Sequence, residues 1–105
     1  MFRSRARGAV PRWRARRALR TAQLLDEVVD SHLPWLPGLP EEHRRRSADY
    51  LAELVMLAQA YRYYAAGWID RAELDRRGRA TLARLDQLRR ERDAQLGAGQ
   101  LTEQE

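Results

Sequence analysis

The chain has no cysteine, no lysine and no asparagine, a single isoleucine, and no long uninterrupted apolar run. The first absence excludes disulfides, thiolate metal sites and cysteine nucleophiles, so stability must come from packing. Lysine is missing because all twenty basic residues are arginine, and with abundant Ala, Leu and Gly this reads as the codon imprint of a GC-rich genome. Guanidinium forks bind phosphate bidentately whatever put them there. A membrane span needs about 18 apolar residues and a secretory signal an apolar core of roughly 7–15, and neither follows the basic N-terminus. Arg16 and Arg17 are adjacent, but Arg20, Thr21, Gln23, Asp26 and Glu27 break up the stretch after them, which sets twin-arginine export aside. A cytoplasmic protein is the expectation. No alternating β-branched segment occurs, so no strand is predicted.

Acid is the next thing missing. Met1 to Leu25 hold eight arginines and no Asp or Glu, a net of +8, while the other eighty residues carry twelve Arg against fifteen Asp plus Glu, a net of −3. The formal +5 of the whole therefore lies in the N-terminal quarter. Such polarity marks a contact surface for a polyanion.

At 105 residues one domain is expected,. Residues 1–10 read as a basic flexible arm, 11–97 as a single helical domain and 98–105 as a frayed tail. The fold class predicted is all-α, a three-helix bundle made of an antiparallel helical hairpin plus an N-terminal basic helix, with a dimer as a further form. A first helix from about Pro11 to Ser31 aligns Ala18, Ala22, Leu25 and Val29 on one face,. Arg14 and Arg17 interrupt that face, so its first turns are expected to project as a charged extension. His32 to Pro40 (HLPWLPGLP) reads as an extended, polyproline-like connection whose Trp35 and leucines cap the bundle,.

A second helix, from Glu41 or Glu42 to Ala66, carries a heptad-like stripe of Ser47, Tyr50, Leu54, Leu57, Tyr61, Tyr64 and Trp68,. Ala52, Met56, Ala60 and Tyr63 form a second apolar face, so this helix either lies between the other two or meets a second copy,. Gly67 then supplies a C-terminal cap, Asp70 an N-cap, and Glu73 the other half of a capping box. The third helix places Leu74, Gly78, Leu82, Leu85, Leu88 and Leu96 along one stripe, and Gly78 invites close approach by Tyr61, Tyr64 or Trp68. Glu73 with Arg77, Asp75 with Arg79 and Asp86 with Arg90 are expected i,i+4 pairs, and Gly97 and Gly99 the stop,.

The hairpin AAGWIDRAELDRRGRATLARL, with Gly67, Ile69, Asp70, Glu73 and Leu74 at the characteristic places, resembles short helical-hairpin modules of SHOCT type. The resemblance covers about a quarter of the chain and implies oligomerisation or attachment to other domains. That family usually has Phe or Tyr where Leu74 stands.

Chemistry-bearing constellations are few. His32 and His43 flank the proline-rich connection with no His-x-x-x-His spacing, and read as surface or capping histidines, so no metal or cofactor is expected,. Ser4, Ser31 and Ser47 lack a glycine-flanked elbow, and no glycine-rich phosphate loop occurs. Glu53, at one edge of the apolar seam of the second helix, is expected to pair with an arginine. Catalysis is not expected. The remaining signal is PRWRARRALR, where Arg12, Trp13, Arg14, Arg16, Arg17 and Arg20 combine guanidinium groups with an indole, a set suited to phosphates and a stacked base,. The reading is a non-catalytic binding protein that contacts nucleic acid without sequence specificity. The alternative is an adaptor that binds another protein or an anionic membrane through Ala52, Met56, Ala60 and Tyr63 and the basic arm. A third reading has the arginines spent internally on Asp26, Glu27 or the third helix.

Overall fold

The computed structural model describes residues 10–104, with side chains through residue 98. Residues 1–9, nearly all of the expected arm, lie outside the described set. Helix α1 (Arg12–His32) leads through a 3-10 helix (Leu33–Gly38) to α2 (Glu41–Ala65), and a tight turn leads on to α3 (Arg71–Gln104). The fold is all-α, and the described residues contain no strand.

Helix α2 is the middle element. It packs against α1 on one side and α3 on the other, whereas the backbones of α1 and α3 do not approach each other. One cluster joins Ala18 of α1, Ala60 and Tyr64 of α2 and Leu74 of α3, and a second joins Val29 with Leu51 and Leu54, flanked by Leu25, Leu36 and Leu85. The predicted stripe of α2 supplies Leu54 and Tyr64 to the core, and the buried arc widens around it to take in Leu51, Ala58 and Ala60. At 3.6 residues per turn, the buried positions spread over about half the circumference, with Leu51 and Ala58 on one edge and Ala60 and Tyr64 on the other. Between those edges lie Tyr50, Leu57 and Tyr61, which are exposed or half-buried because the outer helices stand apart above them. Trp68, the last member of the predicted stripe, lies beyond the helix and is exposed.

The connection between α1 and α2 is helical, not extended. Pro34 stands in the first turn, where no backbone N–H is needed, and the φ that proline imposes at 34 and 37 suits a 3-10 helix,. Trp35 does not cap the bundle, being 74% exposed, and Leu36 is the residue that packs inward. His32 closes α1, its Nδ1–H donating to the Val28 carbonyl at 2.8 Å.

The α2–α3 turn is a Schellman motif. Gly67, at φ 78°, donates to the Tyr64 carbonyl at 2.9 Å, and Trp68 N–H donates to the Tyr63 carbonyl at 2.8 Å,. Asp70 caps α3 by accepting the Glu73 N–H at 2.8 Å. The reciprocal half of the box does not form, because the Glu73 carboxylate takes Arg77 at 2.8 Å and Arg76 instead. Helix α3 continues through Gly97 and Gly99 to Gln104, past the predicted stop and through the expected frayed tail. Gln95 bonds to Arg46 and Glu42 of α2, which ties these late turns to the body. On its inner face Thr81, not Leu82, is buried, and Leu82 and Leu96 are exposed.

Candidate functional site

The described arginines of α1 sort by helical register into two sets. Arg12, Arg16 and Arg20 recur at intervals of four on the outer side,. Arg14 and Arg17 turn with Trp13 towards a groove of about 630 Å³ that α1 shares with the other two helices. The first turns of α1 therefore do not project from the body. Val10 packs against the cluster around Ala18, which holds this end alongside α2 and α3.

None of Arg12, Arg14, Arg16, Arg17 and Arg20 forms an ion pair among the described residues, although eight ion pairs occur elsewhere. For these five arginines the reading in which they are spent internally does not hold. The first acid in the chain, Asp26, pairs with Arg62 of α2, and every other described ion pair lies within α2 or α3. Glu53 is half-buried with no ion pair among the described residues, so its expected arginine is not there.

The groove is floored by Tyr61 and Tyr64 of α2 and walled on its far side by Arg71, Leu74, Asp75, Gly78 and Arg79 of α3. The space beside Gly78 is empty: a Cβ built there meets nothing within 4 Å, so no tyrosine or tryptophan approaches it as predicted. Asp75 pairs with Arg71 at 3.1 Å rather than with its expected partner Arg79. Arg71 is raised in pKa first by its hydrogen bond to Asp75 and then by the charge of that carboxylate. Arg79 carries no ion pair among the described residues, leaving Arg14, Arg17 and Arg79 as uncompensated charges around an aromatic floor. Trp13 is 53% exposed, and the Arg14 guanidinium lies 5.1 Å from the centroid of its ring. Arg71 and Arg79 were not foreseen as part of this site. Their signal in the sequence was the i,i+4 spacing to Asp75 on either side, which does not say which arginine the carboxylate will take.

The expected partner face divides. Ala52 and Met56 are exposed, with Val55 beside them. Ala60 is 1% exposed and belongs to the core, because α2 is clasped on two edges and Ala60 lies on one of them. Tyr63 is half-buried, with Trp68 stacked on it and the Arg77 guanidinium 6.0 Å from its ring centroid. Among the described residues no group of three His, Asp or Glu converges as a metal site, and no helix is long and apolar enough to cross a membrane. No family model, curated protein or solved structure matches the chain.

Proposed function

We propose that this is a small non-catalytic binding protein whose basic first helix contacts a polyanion, nucleic acid above all, without reading its sequence. The observation that carries this is the set of five arginines, Arg12, Arg14, Arg16, Arg17 and Arg20, that have no carboxylate partner among the described residues while the arginines of α2 and α3 are mostly engaged. Uncompensated guanidinium groups with an indole among them suit phosphates and bases together.

The test replaces these five arginines by glutamine in the full chain. Removing residues 1–20 is a poor substitute, since Ala18 belongs to the core. The wild type should bind labelled nucleic acid with a log-log salt slope corresponding to about five or more released counterions. The variant should lose that binding at unchanged helicity. Binding that persists in the variant overturns the proposal.

A second reading is supported by the exposed Met56, Val55 and Ala52 on the back of α2 and by the exposed Trp35. These are apolar groups that a protein partner, a second copy or an anionic membrane would cover. An adaptor of this kind would bind no nucleic acid at low salt, and a change of Met56 to Glu would release its partner.

A further inference from the structure

The outer arginines and the groove differ in what they offer a nucleic acid. Arg12, Arg16 and Arg20 form a convex stripe that meets only the phosphate backbone, which single and double strands both present. The groove is concave, and at about 630 Å³ it falls within the roughly 300–1,000 Å³ of small-ligand sites. Its floor is Tyr61 and Tyr64, Trp13 stands at its rim, and Arg14, Arg17 and Arg79 surround it without ion-pair partners. Asp75 is its one acid, and Arg71 neutralises it.

We infer that this groove seats one unpaired nucleotide, its base against Tyr61 and Trp13 and its phosphate among Arg14, Arg17 and Arg79, which makes the protein selective for single strands. The inference rests on the nucleic-acid reading above and adds to it a site and a preference. A base held in a duplex is stacked and paired on all sides, and taking it out costs free energy that a single strand is spared. Gly78 makes room: the space beside it is empty, and a side chain there would point into the groove.

The experiment compares a single-stranded oligonucleotide with the duplex of the same sequence, using full-length wild type, Gly78→Leu and Arg79→Gln at fixed low salt. Leucine at position 78 meets no atom within 4 Å at its Cβ and has the higher helix propensity, and an unchanged helical circular dichroism signal and melting temperature check that the fold is retained,. Wild type should hold the single strand at least tenfold more tightly than the duplex. Gly78→Leu should bring the two affinities together without weakening duplex binding, and Arg79→Gln should reduce the preference several-fold. Equal wild-type affinity for both forms, or a preference that survives Gly78→Leu, overturns the groove while leaving the arginine stripe in place. Failure of wild type to bind either form overturns both the groove and the reading beneath it.

Discussion

The Trp68 ring stacks on Tyr63, with centroids 5.4 Å apart and planes 27° from parallel, across the glycine that ends α2. This is the apolar contact that accompanies a Schellman turn, made between the residue after the glycine and the one four before it,. Gly67 is buried and has the one positive φ among the described residues. Gly67→Ala should therefore destabilise the protein by about 1–2 kcal/mol through the left-handed backbone alone. Urea denaturation checks this as a lowered midpoint at an unchanged slope.

Ala52 and Ala60 of α2, the first exposed and the second buried, should part company on substitution. Ala60→Leu forces extra methylenes into the cluster of Ala18, Tyr64 and Leu74 and should cost about 1–3 kcal/mol,. Ala52→Leu adds them in solvent and should stay within about 0.5 kcal/mol of wild type,. Thermal melts of the two variants side by side decide it.

The Asp70 carboxylate accepts the Glu73 N–H at the start of α3. Asp70→Ala should cost about 1 kcal/mol, the usual loss on removing an N-cap, and Asp70→Ser should restore most of it. Chemical denaturation of the three proteins at one pH is sufficient.

Hydrogen bonds from Arg77 first and Arg76 second hold the Glu73 carboxyl below its ordinary value of 4.5. A carboxyl depressed by folding contributes stability that is complete above its unfolded value and fades as the pH falls through the folded one. Wild type should thus exceed Glu73→Gln in urea midpoint near neutrality. The gap should close below about pH 4.5 as Glu73 takes up its proton. A gap that is constant with pH would assign the effect to packing.

Much of this architecture is legible in the sequence, and the departures share a cause. Helix number and order, and the bounds of all but the end of α3, follow from the sequence, with Pro40 before Glu41, Gly67 after Ala66 and Asp70 before Arg71 as the signals. The width of the buried arc on α2 does not, because the spacing of Tyr50, Leu54, Leu57, Tyr61 and Tyr64 identifies an apolar stripe but not whether one helix or two cover it,. With two, the middle of the stripe becomes the floor of a groove and its edges become the core. The same ambiguity hides Arg79 among the charges of α3 and places Ala60 on the wrong side. Gly78 shows the limit most plainly, since a glycine on an apolar face predicts close approach as well as it predicts empty space. Gly97 and Gly99 do not stop α3, which runs on to Gln104, and Gln95 just before them bonds to Arg46 and Glu42 across the helix pair.

The separation of α1 from α3 also gives the molecule a seam. All of the backbone packing of α1 is made with α2 and the 3-10 turn that joins them, so the positively charged helix sits on the α2–α3 hairpin as a tethered ligand sits on its receptor. Cleavage of the chain between α1 and α2 would turn an intramolecular contact into a binding equilibrium, in which the cation-rich fragment and its hairpin acquire an affinity of their own.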